Sequence, residues 1–229
     1  VRPLPAIEPA IAQFRGPFYK TDEDLENIKP YIDQLEELSR NYWELEEMLG
    51  KSLTEKYPPQ LSRIPSPSNA AAEAAAINER NRFGLGDAPL PILRDLLEQE
   101  VGLRIFYFPM SDAEGFSEIY FFNQILGGCI AINSDHPEER RRWSLSHAYG
   151  HFLGHRYEPS AKPDYGDIPD SEVFADQFAS YFLMPTSSLT RKYAEIVQDG
   201  KAPTMADLFK LANYYGVSLS ALSLRLEHM

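Results

Sequence analysis

His147-Ala-Tyr-Gly-His151, followed by Glu172-Val-Phe-Ala-Asp176, is the pair of segments on which the reading of this chain turns. Two imidazoles four residues apart on a helix project from one face, because a turn takes about 3.6 residues, and together they can grip one tetrahedral cation. A packed helix is the expected setting, since Trp143, Leu145, Ala148, Phe152 and Leu153 recur at helical intervals around them. Glu172 stands in a second amphipathic segment with Phe174, Ala175, Phe178, Ala179, Phe182 and Leu183, ended by Pro185. It offers a carboxylate as third ligand. Asp176, one turn further along, can accept the free N–H of a ligating histidine and fix its tautomer. Zn2+ is the ion such a set predicts.

The usual protease form of the first segment is His-Glu-x-x-His, in which the glutamate is the general base. Position 148 is alanine here. Zinc ligation survives that change, because residue 148 is not a ligand, but a positioned base typically contributes about 10²–10⁴-fold to the rate. The alanine predicts a catalytically silent form. Two origins remain open at this level: a substitution that silences an otherwise active protease, or a natural chain that binds without cutting.

Arg142-Trp-Ser-Leu-Ser-His-Ala-Tyr-Gly-His-Phe-Leu-Gly-His155 and Glu172-x-x-Ala-Asp-x-Phe-Ala-x-x-x-Leu-Met-Pro185 resemble the signature of ImmA/IrrE-type metallopeptidases, a gluzincin-like family. Arg82-Phe-Gly-Leu-Gly, a helix through Pro91 to Val101, a strand at Leu103 to Phe108, and Gly127-Gly-Cys-Ile-Ala-Ile-Asn133 fit the same pattern. The similarity spans residues 70 to 226 and departs from the family motif at Ala148. It implies His147, His151 and Glu172 as ligands, with Asp176 behind them. It also implies a zinc-dependent endopeptidase that cleaves a helix-turn-helix transcriptional repressor, switching on stress-response, mobile-element or phage-defence genes. The alternative is a non-catalytic zinc-binding regulator that binds a repressor or senses redox state.

Two further residues invite a role at the metal. His155 lies one turn past His151, but the His-x-x-Gly-x-x-His spacing of a three-histidine site lands on Tyr157. Cys129 lies in the strand before the histidine helix, and thiolate is a good zinc ligand. Its plain reading is a buried small hydrophobe. Its functional reading is an inhibitory fourth ligand.

With 43% hydrophobic residues in 229, the chain can bury a full core in one domain plus an appendage. The expected fold is α+β: a zincin-like domain with a small sheet and several helices over 70–229, ending in a helical subdomain, preceded by a helical extension and proline-rich connector over 1–69. Residues 1–20 read as an arm. Val1, in place of an initiating methionine, reads as a processed or trimmed start. A helix is predicted from Thr21-Asp-Glu-Asp, divided at Pro30, with Ile32, Leu35, Leu38, Tyr42, Leu45 and Leu49 as its apolar stripe. That helix either packs on its own domain or forms a homodimer through residues 21–50.

One cysteine cannot form an internal disulfide, and neither a signal peptide nor an apolar stretch of about 18 residues is present, so a cytoplasmic protein without membrane contact is expected. The formal charge of −12 opposes a nonspecific grip on nucleic acid. Arg140-Arg141-Arg142 follows Glu138 and Glu139, and the helix-turn-helix form at 205–226 holds only Lys210 and Arg225 as cations. Direct DNA binding is not expected.

Overall fold

A computed structural model describes residues 22–51, 53, 55–61, 64, 68–111, 116–157, 169–197 and 202–229. The arm expected over 1–20, and part of the connector, lie outside these residues. The observed order is α1 (Asp22–Leu49), α2 (Asn69–Arg82), α3 (Leu93–Glu100), β1 (Arg104–Phe108), β2 (Glu118–Asn123), β3 (Gly127–Asn133), α4 (Glu138–His155), α5 (Asp170–Leu183), α6 (Thr186–Ile196), α7 (Met205–Tyr215) and α8 (Leu219–Glu227). The class is α+β. No helix among the described residues is long and apolar enough to cross a membrane.

The sheet runs β1-β3-β2, with β1 parallel and β2 antiparallel to the central β3. Side chains alternate across it, so residue parity decides which layer each one meets. Tyr120, Ile130, Ile132 and Ile105 join the core under α4, whereas Ile119, Phe121, Cys129, Ala131 and Phe108 join a separate core under α1. The histidine helix is on one side and the N-terminal helix on the other.

α1 differs from its expectation in two ways. It runs unbroken through Pro30, which lies on the solvent side, where the carbonyl left without its helical partner can be hydrated. Its buried face is Ile28, Ile32, Leu35, Ser39 and Glu46, while Tyr42, Leu45 and Leu49 are exposed. The stripe turns polar because its polar members are bonded inside. Ser39 donates to the Leu35 carbonyl, and Glu46 pairs at 2.6 Å with the buried Arg104 of β1. α3 starts later than the expected Pro91, since Pro89 and Pro91 hold the chain extended before Leu93.

From Ser144 to His155 every residue of α4 is buried, because the sheet covers one side and α5 the other. Gly150 and Gly154 set the α4–α5 spacing. A Cβ at Gly150 would stand 3.0 Å from Phe178 Cδ1 and 3.2 Å from the Ala175 Cα, and one at Gly154 would stand 3.1 Å from Phe174 Cε1. Gly150→Val should therefore force α5 outward. The expected outcome is a loss of about 1–3 kcal/mol in urea denaturation, together with weaker divalent-ion binding in chelator competition, because Glu172 rides on α5.

Candidate metal centre

His147 and His151 share one face of α4 with Ser144 and Ala148, the positions that recur at three- and four-residue intervals. The two Nε2 atoms stand 2.8 Å apart. Glu172, in the first turn of α5, places Oε2 3.2 Å from His147 Nε2 and Oε1 3.4 Å from His151 Nε2. These three side chains each offer a donor atom within 4.8 Å of the other two. Asp176 Oδ1 lies 2.9 Å from His147 Nδ1. That contact assigns the proton to Nδ1 and turns the Nε2 lone pair toward the cluster. Two imidazole nitrogens and a carboxylate converging at such range are the donor set of a divalent ion with borderline-soft preference.

The surroundings hold the rings in place. His151 is fully buried and stacks on Tyr120 at 5.5 Å with 8° between planes. Burial alone would lower the His147 pKa, but the charge of Glu118 and the hydrogen bonds to Asp176 and Glu172 overcome it and raise the ring to about 10. Burial likewise opposes ionisation of Glu172, yet its bonds to both histidines hold it far below the usual carboxylate range.

Nothing in the motif spacing marks Glu118, the first residue of β2, yet the fold brings it here. Its Oε1 is 3.8 Å from His147 Nε2, and it takes a hydrogen bond from the Ser144 side chain. Only 5% of it is exposed. Burial raises its carboxyl to about 7 against the pull of the His147 charge and the Ser144 bond. The available signal was parity: Glu118, Tyr120 and Phe122 alternate with Ile119 and Phe121, which puts the carboxylate on the strand face that meets α4.

Cys129 is not brought to the cluster, which corrects the expectation of an inhibitory fourth ligand. It pairs with Phe121 and Arg104 across the sheet and faces α1, in contact with Ser39. Burial pushes its thiol up to about 12. Such a thiol is a core side chain and a poor redox sensor. His155 packs its ring 5.7 Å from Phe174, outside the three-residue donor cluster. Ala148 is wholly buried in the α4 core.

Of the cations that invited a nucleic-acid reading, Arg140 and Lys210 are exposed, while the others are engaged by the fold. Arg140 reaches the Ser117 hydroxyl, Arg141 lies over Tyr107, and Arg142 donates to the Leu90 and Pro91 carbonyls. Arg225 is buried, bonded to Thr186 and stacked over Tyr181.

Comparison with protein families gives one result that bears on this geometry. The model of Peptidase_M78, described as an IrrE N-terminal-like domain, matches residues 98–227, more than half of the chain, a span that includes His147, His151, Glu172 and Asp176. No curated protein matches the chain.

Removing the Asp176 carboxylate frees the His147 ring to rotate and tautomerise. Asp176→Ala should weaken divalent-ion affinity about 10- to 100-fold, read by competition with a chromophoric chelator. The proton on His147 must also leave before an ion can use Nε2. Since that ring is held at about 10, affinity should fall as pH falls: about tenfold per unit between pH 9 and 7, with one proton released per ion in calorimetry across buffers of different ionisation enthalpy.

Proposed function

The chain belongs to the Peptidase_M78 family of IrrE N-terminal-like domains, and from that membership we propose that it is a zinc-dependent endopeptidase whose substrate is a helix-turn-helix transcriptional repressor. The observation that carries the reading is the convergence of His147, His151 and Glu172, with Asp176 behind His147, inside the family segment. His147, His151 and Glu172 would hold the ion. When bound, zinc supplies Lewis acidity toward a peptide carbonyl and acidifies water.

The chain's own residues do the rest. Asp176 keeps the His147 proton on Nδ1, and Tyr120 fixes the His151 ring from the sheet side. The apolar shell of Phe174, Phe178 and Phe152 excludes bulk water from the rear of the cluster, which strengthens every charge interaction within it. A net charge of −12 suits a basic partner, as DNA-binding proteins commonly are, and repressor control of stress, mobile-element or phage-defence genes belongs to this reading, as does a cytoplasmic setting. A homodimer through residues 21–50 would use Leu45, Met48 and Leu49, which α1 leaves exposed.

Ala148 favours a second reading, a regulator that binds the repressor through the zinc pocket without cutting it. Its redox-sensing form loses its sensor, since Cys129 faces α1. The two readings separate by experiment. Purified protein should carry about one zinc per chain by elemental analysis, and its Ala148→Glu form should cut a helix-turn-helix repressor in a reaction abolished by 1,10-phenanthroline and by His151→Ala. Binding of that repressor with no cutting, in both the parent and Ala148→Glu, would favour the regulator. Absence of bound zinc would remove both.

A further inference from the structure

Peptide hydrolysis needs a carboxylate beside the ion that is not one of its ligands, and position 148 of α4 supplies only a methyl group. The face of α4 that carries Ser144, His147, Ala148 and His151 is met by β2, through Glu118 at Ser144 and His147 and through Tyr120 at His151. We infer that Glu118 is the proton-accepting carboxylate of this centre, delivered from β2 in place of the one absent from α4. The inference rests on the metallopeptidase reading and deepens it, because it turns a site with ligands alone into one equipped for hydrolysis.

Three observations carry it. Glu118 Oε1 approaches His147 Nε2 to 3.8 Å, yet Glu118 is not among the side chains whose donor atoms are mutually within 4.8 Å. It stands next to the ligand set without belonging to it. Second, it is 5% exposed at the head of a strand whose neighbours are Phe116, Ile119, Tyr120 and Phe121. A carboxylate in such a place opposes folding unless bonded, and its bonding is to Ser144 and His147, on the histidine face of α4, not to the sheet around it. Third, strand parity fixes its direction. Glu118 pairs with Ile132 and Tyr120 with Ile130, both on the side of the sheet that packs under α4.

The chemistry balances with water as the only co-reactant. One proton of the attacking water passes to a Glu118 oxygen as the water oxygen bonds to the peptide carbonyl carbon. Glu118 then returns that proton to the amide nitrogen as the C–N bond breaks. The second water proton stays with the new carboxyl group, and the Glu118 carboxylate is regenerated.

Glu118→Gln keeps the shape and the bond from Ser144 while removing the proton acceptor, so it is the variant to test, with Glu118→Asp as a carboxylate drawn back by one methylene. The probes are cobalt(II), whose visible spectrum reports its ligands, and acetohydroxamic acid, which chelates a divalent ion and gives up its proton to an adjacent base. Cobalt affinity and spectrum should stay within about threefold of the parent, short of the 10- to 100-fold loss typical when a ligand's support is removed. Acetohydroxamate affinity for the cobalt-loaded protein should fall about tenfold or more in Glu118→Gln, the worth of a charge-assisted hydrogen bond, and less in Glu118→Asp. Peptides cut by the parent should be cut about 10²–10⁴-fold more slowly.

A tenfold loss of cobalt affinity with an altered spectrum would make Glu118 a ligand and overturn the inference. So would unchanged acetohydroxamate binding, or undiminished cutting, either of which makes it a bystander. Failure of the parent to take up cobalt strikes the metallopeptidase reading itself, and is thereby distinguishable from failure of the Glu118 role alone.

Discussion

The close approach of α4 and α5 is the constraint on which the rest of the molecule depends. Two of the clustered donor side chains lie on one helix and the third on the other, so the donor distances are a consequence of helix spacing. Gly150 and Gly154 permit that spacing by presenting bare backbone to Phe174, Phe178 and Ala175. The remaining volume is filled by aromatic rings: Tyr149 meets Phe178 at 5.9 Å, and Phe178 meets Phe182 at 5.1 Å. A close-packed interior of this kind moves as a unit. The sheet then serves as a second wall, setting Tyr120 against His151 and Glu118 against His147.

Electrostatics follows from this packing. Glu118, Glu172 and Asp176 all meet His147, the first from β2 and the other two from α5. Three carboxylates crowd His147: burial chiefly raises the Glu118 carboxyl, with the charges of Glu172 and Asp176 adding to it, and the carboxylates together raise His147 against burial, so negative charge is in excess here. A proton on His147 relieves it partly. A divalent cation, bringing two charges into the same space, relieves it further. The donor set could therefore exchange a proton for a metal ion, and any ion bound through His147 would have an affinity tied to pH.

Much of this was legible in the residues. The His147/His151 spacing and the Glu172/Asp176 spacing are helical facts, and α4 and α5 fall where those patterns place them. The strands begin and end within a few residues of their apolar runs. What escaped was set by relations between elements. Cys129 looked near the metal because it is near in sequence, but the parity that sends Ile130 and Ile132 toward α4 sends Cys129 to α1. The stripe of α1 was read from apolar residues alone, whereas its face includes Ser39 and Glu46, polar groups made tolerable by partners on the helix and on β1. Arg104, their counterpart, gave no sign of being buried within an aromatic strand.

Ala148 and Glu118 belong in one account. A glutamate at 148 would stand on the α4 face that Glu118 already meets, adding a fourth carboxylate to a pocket that holds three. Like charges so placed cannot all ionise, and one would be held neutral at the expense of its function. Alanine on the helix and glutamate on the strand are compatible under the role inferred for Glu118, which bonds to Ser144 and faces His147 on that same helix face. Read alone, Ala148 looks like a loss. Read with the strand packed against it, it looks like a transfer of the same chemical group to another element of the fold.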